Sequence, residues 1–392
     1  MPFPTFPGGL LRHLRQREPE MTRLLGRFVR AESPSYDKAA VDRFGRLVAV
    51  EWRKRGARVE FLRQRERGDH VRVTLRPGGK LRFGRGGRPR GQVLVLGHLD
   101  TVYEAGTLAS IPFRVSRGRA WGPGAYDMKS GLVIALFAAE ALARTGFRPR
   151  RRAVFLWTSD EEIGSKTSRA RIEREARRSQ AVLVLEPSTG LDGRLKTARK
   201  GVGEIELIIT GRAAHAGINP EDGVNAVREL ALQIARLARL NRPRRGVSVS
   251  ANVVEGGTRS NVVAARARAL VDVRATRAAD MRWLEAQLRR LRPILPGARL
   301  QARGGFSRPP LERAASAALF QKARALARQM GLKLQESFTG GGSDGNFTAA
   351  LGVPTLDGLG GVGEGAHSPG ECVLLRALPE RAALLAALLA TL

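Results

Sequence analysis

Cysteine is almost missing from this chain of 392 residues, which holds only Cys372. A single thiol excludes an internal disulfide and a site built from several thiolates, so we expect Cys372 to be a buried core residue. No apolar run approaches the roughly 20 residues of a membrane-spanning helix, so no membrane partner is expected. Residues 1–9 do not begin the basic and then apolar order of a signal peptide, and we therefore expect a cytoplasmic protein.

Acidic residues are scarce relative to basic ones, since 36 Asp and Glu against 68 Lys and Arg give a formal net charge of +32. Such a charge is compatible with nucleic-acid binding, because phosphate contacts require it. The basic residues are, however, scattered along the chain, and no zinc finger, RNP-type or aromatic-interleaved basic motif is present. We therefore expect no specific nucleic-acid partner, and we expect anionic substrates to be attracted.

The apolar pattern predicts alternating helices and strands, and so an α/β fold with a sheet flanked by helices. Residues 20–62 read as two helices separated by a break near Pro34. Apolar runs at 93–96, 153–158 and 181–185 predict buried strands of a parallel sheet. A long apolar helix is predicted over residues 130–143.

Residues that can bind a metal follow each of these three strands. Because ligands bind at the carboxyl ends of strands in open α/β sheets, we expect these side chains to lie along one edge. A solvated acidic turn is the alternative for the acids after the second strand. The residues are His98 and Asp100 after the first strand, Glu161 and Glu162 after the second, and Glu186 after the third.

Two further candidates lie in glycine-rich segments. Asp127 precedes the apolar helix, where it is either a helix N-cap or a carboxylate that bridges two metals. His367 follows a glycine-rich loop near the end of the chain. The glycine run at 339–346 is either a plain turn or a loop whose backbone N–H groups bind an anion such as a substrate carboxylate.

Residues 199–307 change pattern to a β-α-β-β-α-β order, which predicts an inserted ferredoxin-like α/β domain. We therefore expect a catalytic domain formed by residues 1–198 and 308–392, with residues 199–307 inserted into it.

The candidate ligands are imidazoles and carboxylates without sulfur, a set that suits Zn²⁺ and accepts Co²⁺ or Mn²⁺. With one carboxylate bridging, each of two metals has three protein ligands and an open position for a shared water, as in two-metal hydrolases. Glu161 lies beside a ligand without needing to be one, so we predict that it is the general base. The candidate ligands are His98, Asp127, Glu162, Glu186 and His367.

These segments resemble the co-catalytic zinc exopeptidase family, which includes acetylornithine deacetylase, succinyl-diaminopimelate desuccinylase, aminoacylase and glutamate carboxypeptidases of the carboxypeptidase G type. Order and spacing match over about residues 20–390. The likeness to the glutamate carboxypeptidases is strongest, through Tyr103, the hairpin 111–115 and the triple glycine before Ser343. The matching motifs are Gly97-His98-Leu99-Asp100-Thr101-Val102, Gly122-Pro123-Gly124 with Asp127-Met128-Lys129, Asp160-Glu161-Glu162-Ile163-Gly164-Ser165, Glu186-Pro187, His215-Ala216-Gly217 and His367.

The resemblance implies how the two metals are held. Asp127 would bridge them, and His98 and Glu186 would complete one site. Glu162 and His367 would complete the other. In the family, a cis peptide joins the bridging aspartate to the next residue, which here is Met128.

The resemblance also assigns roles outside the metal ligands. Asp100 would orient His98, and Glu161 would be the base. The inserted domain would act as lid and dimerisation surface of a homodimer, with His215 stabilising the oxyanion in the partner's site. The substrate carboxylate would be bound by Asn261, Arg274 and the Gly342 loop, with Arg308 a further candidate.

The activity implied is zinc-dependent cleavage of an amide next to a carboxylate-bearing amino acid, in a small dipeptide-like substrate, with glutamate the first expectation. The alternatives are an N-acyl amino acid deacylase with the same site and a carboxylate-binding protein without activity. An intact Glu161 argues against the last, because a protein without activity needs no general base.

Overall fold

A computed structural model describes residues 6–75, 91–144 and 151–392. The chain forms two compact units. The first comprises the chain up to Ala198 together with Arg313–Phe338 and Ser343–Leu392. The second comprises Arg199–Glu312 and Thr339–Gly342. The expected boundaries were 198/199 and 307/308, so the structure assigns residues 308–312 and 339–342 to the second unit.

The described residues form helices and strands in frequent alternation. The helices are α1 Gly8–Gln16, α2 Glu18–Arg30, α3 Lys38–Lys54, α4 Thr107–Ser110, α5 Ser130–Arg144, α6 Arg169–Arg177, α7 Ala226–Ala238, α8 Ala278–Arg289, α9 Arg313–Gln329, α10 Gly345–Ala350 and α11 Ala377–Thr391. The strands are β1 Arg58–Leu62, β2 His70–Thr74, β3 Gln92–His98, β4 Arg114–Ser116, β5 Arg119–Trp121, β6 Arg152–Thr158, β7 Ser179–Val184, β8 Leu195–Arg199, β9 Gly201–Thr210, β10 Ser248–Gly256, β11 Arg266–Ala275, β12 Arg299–Arg308, β13 Glu336–Thr339, β14 Thr355–Leu356, β15 Gly363–Glu364 and β16 Cys372–Leu374.

The first unit is built on a six-stranded mixed sheet in the order β1-β2-β6-β3-β7-β14. Strands β6, β3, β7 and β14 run parallel, whereas β1 and β2 are antiparallel additions at one edge. All seven residues of β3 are buried, as expected for a parallel strand covered on both faces. A smaller antiparallel sheet, in the order β15-β16-β5-β4, includes the buried Cys372.

The helical prediction over residues 20–62 was wrong for its last part. Helix α3 ends at Lys54, and Gly56 follows with a φ of 78°, the left-handed conformation that commonly ends a helix. The next segment is strand β1, which pairs with β2 over its whole length. Val59 and Phe61 suit a strand, and the pairing with β2 decides the conformation.

Apolar helices cover the sheet of the first unit. Helix α5 has 12 buried residues among its 15, so it is apolar on all sides, as in a helix surrounded by protein. The indole of Trp52, on α3, lies 4.5 Å from the ring of Phe155 and 6.3 Å from that of Trp157, measured between ring centroids. This packing holds β6 in place and with it the turn that follows the strand.

The second unit has the predicted β-α-β-β-α-β order, with an antiparallel sheet arranged β10-β11-β9-β12. Alternate residues of β9 are buried, including Ile205, Leu207 and Ile209, so one face of the sheet packs on α7 and α8. The expectation of a ferredoxin-like insert is confirmed.

Helices that are both long and apolar enough to cross a membrane do not occur in the described parts of the chain.

Candidate metal centre

The polar residues that follow the parallel strands β3, β6 and β7 lie close together. In the sheet register, His98 at the end of β3 lies opposite Thr158 at the end of β6. On the other side of β3, Leu96 pairs with Val184, so Glu186, two residues beyond β7, comes level with His98. A turn of 3₁₀ helix at Glu161–Ile163 follows β6.

The turn at Ala125–Lys129 presents Asp127 to these strand ends. It is irregular, because Asp127 and Met128 have non-helical backbone angles and the peptide between them is cis. Gly124 opens the turn with a φ of 71°, and a Cβ at this position would lie 2.7 Å from the Thr101 side chain. Glycine is therefore required here by both conformation and space.

The Asp127 carboxylate lies between two imidazoles. Its Oδ1 is 3.3 Å from Nε2 of His98, and its Oδ2 is 3.4 Å from Nε2 of His367. Nε2 of His98 also lies 3.4 Å from Glu186 Oε1, and Nε2 of His367 lies 3.3 Å from Glu162 Oε2. The five residues thus form two groups of three that share one carboxylate.

These spacings fit metal ions better than hydrogen bonds. Nitrogen and oxygen ligands about 2.0 Å from a tetrahedral ion lie about 3.3 Å apart, whereas hydrogen bonds between such atoms measure about 2.7–3.2 Å. Within the described residues, Asp127 Oδ1 and Glu162 Oε1 are buried oxygens without a hydrogen-bond partner. A metal held beside His98 would give Asp127 Oδ1 a partner, and the two groups of donors fit a dinuclear site.

The electrostatics of the site also call for added positive charge. Contacts with Asp127 and Glu162 raise the pKa of His367 to about 10. Burial opposes protonation of His98, but contacts with Asp100, Asp127 and Glu186 raise its pKa well above the usual value. Burial and repulsion from Asp127 raise the pKa of Glu162 to about 7, against the effect of His367. Because buried carboxylates need a compensating charge, cations at this site are stabilised.

Asp100 contacts both the His98 ring and the turn that follows β6. The Nδ1 atom of His98 is closer to the Asp100 backbone oxygen, at 2.9 Å, than to its carboxylate, at 3.5 Å. The carboxylate accepts the backbone N–H groups of Glu161 and Glu162, both at 3.2 Å, and the Ser35 hydroxyl at 2.8 Å. Asp100 thus holds the turn that carries the second pair of acids.

Glu161 lies beside the group of His98 and Glu186. One of its carboxylate oxygens is within 4.8 Å of a ligand atom of each. Its position is compatible both with a base next to the metals and with a metal ligand, and the distances place it nearer to the His98 side of the centre.

The other predicted site residues belong to the second unit. His215 and Asn261 lie on paired segments, since Ala216 N–H donates to the Asn261 backbone oxygen at 3.0 Å. The exposed ring of His215 accepts N–H groups of Gly217 and Ile218 at Nδ1, at 3.1 and 3.2 Å. Nδ1 therefore carries no proton, and Nε2 is the donor of the neutral ring.

Arg274 is already paired within the second unit. Asp272 accepts from its Nε and Nη2 at 2.8–3.0 Å, and the Gly340 oxygen accepts from Nη1 at 3.2 Å. Arg308 is buried at the end of β12, and a Cβ on Gly342 would lie 2.9 Å from its Cδ.

Sequence reasoning missed two residues that contact the predicted site. Ser35, near the break between α2 and α3, donates to Asp100. Glu371 accepts the N–H of Asp127 at 2.8 Å. A single acid directly before the apolar Cys372 and Val373 was the available signal for Glu371, because a charged residue in a buried strand needs partners.

Comparisons with known proteins identify the family of this chain. The sequence profile described as Peptidase family M20/M25/M40 matches residues 94–391. Carboxypeptidase G2 of Pseudomonas sp. (strain RS-16) is 32% identical over 371 residues, which cover 93% of this chain and 87% of that protein. Succinyl-diaminopimelate desuccinylase of Dechloromonas aromatica (strain RCB) is 28% identical over 321 residues, which cover 74% of this chain and 80% of that protein.

Solved structures show the same fold at lower identity. Aminopeptidase PepT of Bacillus cereus ATCC 10987 has a TM-score of 0.75 and 21% identity, with 95% of this chain and 98% of that chain covered. The M20 family metallo-carboxypeptidase Sso-CP2 of Sulfolobus solfataricus has a TM-score of 0.71 and 15% identity, with the same coverage.

Proposed function

The chain belongs to peptidase family M20/M25/M40 and is a metal-dependent hydrolase, and from that premise we propose that it is a two-zinc carboxypeptidase. Its proposed reaction is hydrolysis of the amide before a C-terminal amino acid with a free carboxylate, with glutamate as the preferred residue. The observation that carries the proposal is the Asp127 carboxylate, whose two oxygens lie 3.3 and 3.4 Å from two different imidazoles. The similarity to carboxypeptidase G2 over 93% of the chain supports the carboxypeptidase branch.

We propose that five side chains hold the metals. Asp127, whose carboxylate lies between two imidazoles, would be shared by both metals. When bound, the metals supply Lewis acidity and lower the pKa of water. The remaining ligands are His98 and Glu186 for one metal and Glu162 and His367 for the other.

Glu161 is the proposed proton carrier. It accepts a proton from the attacking water and passes it to the nitrogen of the leaving amine. Hydrogen bonds from the Glu161 and Glu162 N–H groups to Asp100 fix the backbone on which Glu161 stands. Glu161 need not bind a metal to do this. A variant without its negative charge distinguishes a general base, whose loss lowers the rate, from a metal ligand, whose loss lowers the metal content.

His215 is the proposed oxyanion donor. Because Gly217 and Ile218 donate to Nδ1, the neutral ring presents a proton at Nε2, where it can stabilise the negative oxygen of the tetrahedral intermediate. The proposed arrangement is a homodimer in which the second unit of one subunit supplies His215 to the other.

The second unit also holds the proposed substrate-carboxylate contacts. These are Asn261, Arg274, Arg308 and the backbone of Gly342. The Asp272 pair holds the Arg274 guanidinium in a set orientation, so a substrate carboxylate has to approach the edge facing away from Asp272.

The alternative is an N-acyl amino acid deacylase with the same metal centre. The similarity to a succinyl-diaminopimelate desuccinylase over 74% of the chain favours it. In both reactions an amide next to a carboxylate is cleaved, so the two differ in which part of the substrate is recognised.

Amine release from a panel of dipeptides and N-acyl amino acids tests the proposal, with Zn²⁺, Co²⁺ or Mn²⁺ added and with a chelator. We expect release from substrates ending in glutamate, abolished by chelator and restored by Zn²⁺. Release from acylated amino acids alone would instead support the deacylase. Release that survives complete metal removal would refute the proposed metal dependence.

A further inference from the structure

We propose that Glu371 is a positioning residue that holds the turn carrying Asp127 in the geometry needed to bridge two metals. This inference rests on the proposed function, because it concerns the support of the same centre. Glu371 lies four residues after His367, directly before β16, and its side chain is 1% exposed.

The Glu371 carboxylate accepts four hydrogen bonds, three of them from one turn. Its Oε1 accepts the backbone N–H groups of Tyr126 and Asp127, both at 2.8 Å. Its Oε2 accepts the N–H of Gly124 at 3.1 Å and the hydroxyl of Tyr103 at 2.6 Å. Burial raises the pKa of Glu371, while Tyr103 and the Asp127 N–H act in the opposite direction. The three backbone N–H groups can only donate, so an ionised carboxylate matches them, whereas the Tyr103 hydroxyl also lies 2.9 Å from the Ser368 backbone oxygen.

The turn depends on this acceptor because the three N–H groups lie at its start. Gly124 is the N-cap residue of Ala125–Lys129, and the first N–H groups of a helix have no acceptor within the helix. Buried backbone N–H groups need a partner, and Glu371 satisfies three with one side chain. The Asp127 carboxylate is attached to this backbone, so its place between two imidazoles follows from the position of the turn.

The substitution Glu371→Gln tests the role with little change in volume. The amide oxygen can accept from one pair of donors, and the amide NH₂ group then faces the other pair. Because the NH₂ group cannot accept a hydrogen bond, at least one backbone N–H loses its acceptor. Two control variants separate the specific effect from a general one. Glu175→Gln alters another buried carboxylate of the first unit, which accepts from Arg72 and Gln92. Tyr103→Phe removes only one of the four donors.

The first readout is hydrogen–deuterium exchange of a peptide spanning residues 124–127 in the metal-free protein. We expect Glu371→Gln to speed exchange there at least about 10-fold, because the amide can no longer accept all three N–H groups. Tyr103→Phe should have a smaller effect, and Glu175→Gln should leave this peptide unchanged.

The second readout is Zn²⁺ affinity, measured by competition with a chromophoric chelator. We expect Glu371→Gln to weaken binding about 10–100-fold, the usual range for residues that orient metal ligands. Glu175→Gln should bind Zn²⁺ as the wild type does, even where its unfolding midpoint falls.

The two readouts distinguish failure of this inference from failure of the proposed function. Unchanged exchange at 124–127 in Glu371→Gln, or wild-type Zn²⁺ affinity in a folded variant, would overturn the positioning role. Equal losses in Glu175→Gln would show a general loss of stability and also overturn it. A wild-type protein that binds Zn²⁺ but releases no amine would refute the proposed reaction while leaving the role of Glu371 supported.

Discussion

Replacing Asp100 by Asn should destabilise the metal-free protein, because Asp100 is a buried acceptor for donors on three sides. Its side chain is 1% exposed and accepts from Ser35, Glu161 N–H and Glu162 N–H. In the variant, the Asn NH₂ group can donate to the Ser35 hydroxyl, and the Asn oxygen can accept one of the two backbone N–H groups. The other backbone N–H then loses its acceptor.

The expected magnitude follows from these contacts. A buried donor without a partner costs about 1–3 kcal/mol, and the retained bonds weaken because their acceptor is no longer charged. Together these effects predict a loss of about 2–4 kcal/mol in the free energy of unfolding. At roughly 2 °C per kcal/mol for a large domain, the melting temperature of the metal-free protein should fall by about 4–8 °C.

Urea unfolding and thermal melting of chelator-treated protein measure this loss. The matched control is Glu255→Gln, which removes a carboxylate from an exposed pair with Arg268 and should leave the midpoint unchanged. If Asp100→Asn unfolds at the wild-type midpoint, the assignment of Asp100 as the acceptor that holds the Glu161–Glu162 turn is wrong.

Three further predictions concern the reaction and the pH dependence of stability. Glu161→Gln should keep both metals and lose at least about 100-fold in kcat, as measured by amine release and metal analysis; a normal rate would remove the base assignment. His215→Ala should lower kcat with zinc content unchanged, and loss of zinc in this variant would make His215 a ligand. Asp69→Asn should cost about 1–3 kcal/mol at pH 7, because the buried carboxylate accepts from Gln64 N–H and Arg63. These contacts lower the pKa of Asp69, although burial opposes the shift. The stability difference between the variant and the wild type in urea unfolding should therefore shrink below about pH 3.9, the pKa of Asp in the unfolded state. A difference that stays constant with pH would contradict this assignment.

That the candidate ligands lie close together could be predicted from sequence, because it depends on local order along the chain. Apolar runs of strand length ended in His98, in Glu161 and Glu162, and in Glu186, and parallel strands bring their carboxyl ends to one edge. The absence of thiolates restricted the ligands to imidazole and carboxylate. The two-part architecture was likewise predictable, because the inserted unit has its own complete β-α-β-β-α-β pattern.

Only the tertiary structure decided how these groups are supported. Glu371 accepts the N–H of Tyr126 across 245 residues of sequence, and a contact at that distance leaves no periodic signal. Strand β1 exists because β2 pairs with it, against the helical pattern before it. Besides contacting His98, Asp100 accepts two backbone N–H groups that the sequence did not predict, since the register of β3 and β6 brings the Glu161 turn against it. Local patterns select the residue types, whereas buried donors and acceptors find their partners only when distant segments pack together.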